Sequence, residues 1–451
     1  KTRLLTPLGF RALPPSAPAG SDAPAARGRP LRGRASTGEG RGLPEAPAML
    51  PGPGRHRSRQ HVLIRCLAAA SLLALCQLDL PSQRRGEYSS ARLVPAFVAQ
   101  TFGGPFPGRI KWLGGVRHSN GFIYGIPSHA EEVLKIDPSR GTACTFGGPL
   151  KGGSYEKFKW LGGVEAPDGS IYAFPSSADQ VLKIDPVTEQ VALLGEPIKG
   201  RWKWHGGAMG RDGRIYGVPC NAKQVLRIDP GSGEVCTIGP EFEGVNKWYG
   251  GIVGNDGAIY GIPYMAESVL RIDPETGDVT TIGGPWVGDA KWHGGVKGQD
   301  GCIYGFPSHA ESVLKIIPES QSVELFGGPW PGPYKWAGGA VAKDGTIFAF
   351  PGMARSVLRI APDTKEVSMI GEVQAGRAKW QGGVVAADGT IFATPIRAES
   401  VLKIVPETGE VSSVGGLGTG KYKCRGAYAA ADGSVVFLPC TAEEVLKITP
   451  S

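Results

Sequence analysis

The stretch KWHGGVKGQDGCIYGFPSHAESVLKIIPESQSVELFGGPWPGPY, Lys291 to Tyr334, contains every element that recurs along most of this chain. Its skeleton is K-W-x-G-G-V, then D-G-x-I-Y-G-x-P-x-x-A, then V-L-K-I-x-P, a polar turn, an apolar run and G-G-P. The Lys-Trp pair returns at Lys111-Trp112, Lys159-Trp160, Lys203-Trp204, Lys247-Trp248, Lys335-Trp336 and Lys379-Trp380, and an eighth, altered copy begins at Lys423-Cys424. The first step between copies is 48 residues and every later one is 44.

A period of this length, made of short strand-like segments and turn signals without helical periodicity, predicts an all-β ring. Eight copies predict an eight-bladed β-propeller of four-stranded antiparallel blades. Within a copy the strands are G-G-V-x-x (Gly294 to Gly298), I-Y-G-x-P (Ile303 to Pro307), V-L-K-I (Val313 to Ile316) and the apolar run before G-G-P. The Asp-Gly turn joins the first two, and a D-P-x-T-G turn, clearest at Asp273 to Gly277, joins the last two. Both are tight-turn chemistry, with Gly supplying the positive φ. They therefore share one face of the ring, and the opposite face carries the P-S-H-A-E-S loops and the longer loops between blades. Strand 1, with its Gly pair, is expected innermost, at the crowded axis. The array starts in mid-repeat: Leu93 to Pro105 reads as a fourth strand, and Val445 to Pro450 reads as a third with nothing after it. Residues 93–105 and 424–450 together make one complete blade, so N- and C-terminal strands pair to close the ring and remove exposed edges.

The chain of 451 residues has a formal charge of +8, but the excess is local. Residues 1–87 hold 14 Lys/Arg against 5 Asp/Glu, and the remainder holds 35 against 36. Net charge gives no support to nucleic-acid binding by the ring. Residues 1–48, rich in Arg, Ala, Pro and Gly, read as a disordered or untranslated leader. Residues 49–86 read as a signal peptide or targeting segment with its linker. After Met49 come Arg55, Arg57, Arg59 and Arg65, then the apolar run Cys66 to Cys76, too short to span a bilayer, with Ala74 and Cys76 as small residues before a cleavage site. The expected setting is secreted or endomembrane, with a bipartite organelle leader as the alternative. Residues 87–451 are one propeller domain.

The 44-residue spacing resembles β-propellers broadly. The Gly-His and Trp-Asp signature of WD repeats is missing, as is the Kelch pattern. Ile272 to Val279 (IDPETGDV) resembles part of the tryptophan-docking motif of quinoprotein dehydrogenases, but Thr281 stands where that motif ends in Trp. The repeat is most similar to K-W-x-G-G, I-Y-x-I-P, V-L-x-I-D-P repeat proteins of algae and other protists. The likeness covers roughly residues 93–450 and implies no particular activity.

Candidate binding residues follow from what recurs and what departs. The repeating Trp is a blade-to-blade packing wedge. The Lys beside it points to the other side of the strand. Lys111, Lys159, Lys203, Lys247, Lys291, Lys335, Lys379 and Lys423 then form a cationic ring at the channel mouth, or pair with acids of the neighbouring loops such as Glu132, Asp179 and Glu267. The four extra residues between Gly147 and Trp160 bring Tyr155, Lys157 and Phe158 to the loop-rich face, where Trp202, Trp286 and Trp330 add aromatics. His129 and His309 occupy the same P-S-H-A position in two repeats. His205 and His293 follow Trp, but no spacing gathers a metal site. Cys424 and Cys440 fall on one face of the last blade, as a disulfide or as two buried thiols. No nucleophile elbow, phosphate loop, dinucleotide fingerprint or paired carboxylate stands out. The expected function is a non-catalytic binding scaffold for a protein or an anionic glycan. The chain is expected to be a monomer, with no cofactor, metal or nucleic acid and no stable membrane span. A propeller hydrolase, lyase or oxidoreductase with a site in the axial channel is the alternative.

Overall fold

The computed structural model describes residues 97–450. The expected leader and targeting segment lie outside the described residues. Between Phe97 and Pro450 the chain forms eight four-stranded antiparallel sheets, each built from one repeat except the last. In the first blade the order from the axis outward is Trp112–Arg117, Ile123–Pro127, Val133–Asp137 and Thr142–Phe146. The closing blade combines Cys424–Ala429, Val435–Pro439 and Val445–Pro450 with Phe97–Phe102, which pairs antiparallel with the last of them from Phe97↔Pro450 to Phe102↔Val445. The ring is closed by the two ends of the array, as the repeat phase predicts.

The second strand of every blade is buried along its whole length, whereas the fourth alternates with solvent. This gradient follows from a sheet covered on both faces near the axis and half-exposed at the rim. Each Trp packs against the preceding blade: Trp160, Ile171 and Leu182 share one core cluster with Tyr124, Ile126 and Val133. Trp Nε1 donates to the carbonyl twenty residues on, Trp160 to Gln180 at 2.8 Å and Trp292 to Ser312 at 2.9 Å. Burying an indole removes roughly 150–250 Å² from water, worth about 4–6 kcal/mol gross. The wedge reading of the Trp holds.

The Gly pair has two separate causes. Gly114 has φ of 80°, a conformation that the register shift between Trp112 and Gly115 requires. Gly115 has no room for a side chain, because a Cβ there would run into the Tyr124 carbonyl.

The Asp-Gly turn is a structural knot. Asp300 accepts from Cys302 N at 3.1 Å, Tyr304 OH at 2.7 Å and Lys315 Nζ at 3.2 Å. This joins the D-G, I-Y and V-L-K parts of the repeat in one contact. In the sixth blade Phe348 replaces the tyrosine, and Thr346 Oγ1 donates to Asp344 at 3.0 Å instead. The turn-face Asp, Tyr and Lys thus serve the fold.

Candidate functional site on the loop-rich face

The eight lysines do not form an open cationic ring. Each is buried, with 0 to 6 % of its surface exposed, and its ammonium donates to backbone carbonyls. Lys203 Nζ reaches Ala178 O at 2.6 Å and Gly200 O at 3.2 Å; Lys247 reaches Ala222 O at 2.8 Å and Gly244 O at 3.1 Å; Lys423 reaches Ala398 O at 2.9 Å and Gly420 O at 2.6 Å. The first acceptor in each pair lies in the preceding blade, so every lysine staples two blades. Among the described residues these carbonyls, and not the loop acids, accept the hydrogen bonds. Lys and Trp do not diverge to opposite sides as alternation along a strand would have it. Both face the preceding blade, and the ammonium lies 5.7 Å from the neighbouring indole at Lys111 and 5.8 Å at Lys203, because the strand end abuts a loop lined by carbonyls that no sequence pattern marks. Burial depresses the lysines, to about 8 at Lys203, Lys335 and Lys379. Removing such an ammonium leaves buried carbonyls unpaired, a cost of about 1–3 kcal/mol for each group so stranded.

Four other repeat positions vary in chemistry while the scaffold around them stays regular. The first is the residue before Lys, which has φ near 50° in all eight blades although none of them is glycine: Ile110, Phe158, Trp202, Asn246, Ala290, Tyr334, Ala378 and Tyr422. The second is the x of K-W-x-G-G: Leu113, Leu161, His205, Tyr249, His293, Ala337, Gln381 and Arg425. The third and fourth are the two residues after the strand-2 proline, as in Ser308-His309. The fold brings all four together around the axis on the loop-rich face. Leu113, Leu161 and Cys440 form one apolar cluster under Ile110, Phe158, Trp202 and Tyr422. Cys220, Tyr249, Tyr264 and Ala290 form another under Trp202, Met265 and Tyr334.

The x residues close the channel at this end. His205 stacks on Tyr249 with ring centres 4.2 Å apart, and Tyr249 stacks on Tyr264 at 4.3 Å. Gln381 reaches past the small Ala337 to His293, Nε2 to Nε2 at 3.2 Å, and its Oε1 accepts from Arg425 Nη1 at 2.7 Å. Since Arg425 fixes the amide oxygen, the Gln381 nitrogen donates and His293 accepts through Nε2. Burial, with repulsion from His293 and Arg425, holds His205 down to about 3, and burial also lowers Arg425. His205 is thus a neutral imidazole, locked with His293 into a plug. Beyond the plug lies a cavity of about 690 Å³ walled by the Gly pairs, from Leu161 and His205 toward Arg117 and Glu165 at the turn face.

The other expected site residues divide into two groups. Phe158 and Trp202 lie 4.7 Å apart, His129 meets Phe158 edge-on at 4.5 Å, and Arg201 covers Tyr155 at 5.4 Å, so the inserted loop and the next one make a joint aromatic and basic patch with the exposed Lys157. His309 meets Tyr334 at 4.3 Å farther round the axis. Trp286 and Trp330 instead fold edge-on against Trp292 and Trp336, at 5.2 and 5.7 Å, as outer packing. Cys424 and Cys440 are free thiols, pushed by burial up to about 12 and about 11. Among the described residues no three His, Cys, Asp or Glu side chains stand close enough to hold a metal ion, and no helix is long and apolar enough to cross a membrane. The plug residues were missed as a set because His205 and His293 were weighed only as metal ligands. Comparing the repeats position by position would have isolated them.

A family described as a repeat of unknown function (DUF6923) matches residues 114–254. No curated protein matches the chain. Among solved structures, a streptogramin B lyase is 15 % identical with a TM-score of 0.52, covering 79 % of this chain and 98 % of its own. A catalytically inactive virginiamycin B lyase from Staphylococcus aureus with quinupristin is 14 % identical with a TM-score of 0.52, covering 78 % and 99 %. The extracellular domain of a putative hybrid two component system from B. thetaiotaomicron is 12 % identical with a TM-score of 0.50, covering 66 % and 42 %. At these identities the likeness concerns the propeller fold.

Proposed function

We propose that this chain is a non-catalytic binding propeller that takes an anionic glycan on its loop-rich face. The observation that carries the reading is the convergence of the four variable repeat positions on that face. A regular scaffold that concentrates four chemically varied positions around the axis on one face has a place for specificity there. The patch of Phe158, Trp202, Tyr155, Lys157 and Arg201 combines flat apolar surface with cations, the pairing that acidic sugars use. That propellers of similar fold include lyases keeps a propeller enzyme, with its site in the axial channel, as the alternative. Against it, the axial His205 and His293 are each 3 % exposed and engaged in ring contacts with Tyr249, so neither imidazole is presented as a free acid or base. A secreted or endomembrane setting, expected from residues 49–86, belongs to the same reading.

The test is binding of the purified chain to immobilised sulfated, uronate-rich and neutral polysaccharides. Asn246 occupies the left-handed position that Phe158 and Trp202 hold in their blades, so Phe158→Asn with Trp202→Asn keeps the backbone comfortable. Salt-sensitive binding to an acidic polymer, lowered at least tenfold by that pair and untouched by Glu275→Ala on the turn face, is the expected result. Binding to none of the polymers, or recovery of a protein ligand alone, would overturn the glycan reading.

A further inference from the structure

The sixth blade departs from the others by combining small residues at three neighbouring variable positions. Its x residue is Ala337, its post-proline residue is Gly352, and the left-handed residue leading into the next blade is Ala378. Together they open a notch of about 30 Å³ on the loop-rich face, lined also by His293, Ser308, Tyr334, Met353, Arg377 and Gln381. At roughly 10–15 Å³ for each water-sized centre, this is room for about two small polar atoms. Ser308 is fully buried and its Oγ has no partner among the described residues, as is true of Ser128 and Ser176 at the same repeat position; of the three, Ser308 lines the notch. Such an orphan in a native interior calls for an explanation, and a ligand atom in the notch supplies one.

The electrostatics point to the sign of that atom. Arg377 stands exposed at the rim. Arg355 stands where Glu131, Glu267, Glu311, Glu399 and Glu443 stand in five other blades, although Glu372 pairs with it at 2.9 Å. Lys335 and Lys379 lie buried beneath, and Arg425 sits behind Gln381. Cations therefore gather around a small cleft, in which two coplanar oxygens are accommodated more readily than the three terminal oxygens of a tetrahedral ester. Tyr334 on the rim offers a ring against which a sugar can lie.

We infer that the notch between blades six and seven is the subsite for the carboxylate of a uronic acid residue. This rests on the glycan reading and narrows it: the acid recognised is a carboxylate, not a sulfate ester.

The probe is methyl β-glucuronide, with methyl β-glucoside and a monosaccharide sulfate ester as comparisons, followed by NMR shift changes and calorimetry on the whole chain. Millimolar binding of the glucuronide is expected, at least tenfold weaker for the other two. Ala337→Leu, which places in the notch the residue that blades one and two carry, should abolish it. Arg377→Gln, on an exposed side chain, should weaken it about tenfold without touching the fold. No glucuronide binding at tens of millimolar, equal binding of the glucoside, or glucuronide binding indifferent to Ala337→Leu would overturn the inference. If the sulfated polymer still binds in those cases, the glycan reading survives alone; if no acidic polymer binds, both fall.

Discussion

His205 shows how a single variable residue carries a pH dependence that the scaffold lacks. Its imidazole is buried, stacked on Tyr249 and held at about 3, while the same residue in the unfolded chain titrates near 6.5. Between those values the unfolded state binds a proton that the folded state refuses, so stability falls as pH drops below 6.5. His129, lowered to about 4 mainly by burial, acts in the same direction. The carboxylates lowered by their hydrogen bonds, such as Asp300 and Asp432, lose their contribution only below about 4. The window from pH 6.5 to 4.5 is therefore dominated by the histidines, with partly exposed, hydrogen-bonded glutamates such as Glu324 entering only at its acid end, and His205 alone accounts for up to about 2.7 kcal/mol across it. His205→Leu, with the residue that blades one and two use at this place, should flatten that limb. Urea midpoints at pH 7 and 4.5 measure it, and a variant with an undiminished acid loss would show that the plug is not the origin.

At the scale of strands and loops, most of the fold was legible. The Asp-Gly spacing, the alternating apolar strands and the repeat phase all express local chemistry that a sequence shows directly. The destination of Lys203 was not legible, because its partners are the carbonyls of Ala178 and Gly200, which every residue type possesses. The left-handed turn before each lysine was hidden for a related reason. Phe158 and Trp202 adopt φ of 55° and 54° without the glycine that usually announces such a backbone. The insertion from Lys151 to Phe158 was legible as length but not as structure. Ser154 ties it down, donating through its backbone N and Oγ to Asp179 at 2.9 and 2.8 Å, and Lys151 pairs with Glu131 at 2.6 Å. Deleting residues 153–156 restores the 44-residue step. Loop shortening of this size and the loss of exposed bonds should cost less than about 1 kcal/mol. Affinity for the acidic polymer should fall severalfold, because Tyr155 leaves the patch. An unchanged affinity in the same titration would remove the inserted loop from the binding face.

For the whole molecule the decisive junction is the pairing of Phe97–Phe102 with Val445–Pro450. Every other pair of adjacent strands within a blade is joined by a short loop, whereas this pair joins residues about 350 positions apart in sequence. Phe97 also reaches outside its own blade, edge-on to Phe392 at 4.9 Å, so the strand ties the last blade to the seventh as well. A closed ring has no terminal repeat from which unfolding can start, whereas an open array of the same blades behaves as a linear solenoid that frays from its ends. Removing residues 97–102 should therefore do more than delete one strand. It leaves Val445–Pro450 as an unpaired edge, with backbone groups facing solvent and available to another chain. The intact ring should unfold in urea as one transition, with tryptophan fluorescence and far-ultraviolet circular dichroism coincident. The shortened chain should show a lower midpoint, separated transitions by the two probes, and association that grows with concentration in light scattering. A synthetic peptide of residues 97–102, added in excess, should partly restore the single transition by occupying the vacant edge. If the shortened chain unfolds at the same midpoint in a single step, the seven complete blades hold the ring without its closure, and the paired ends are an ornament of the topology.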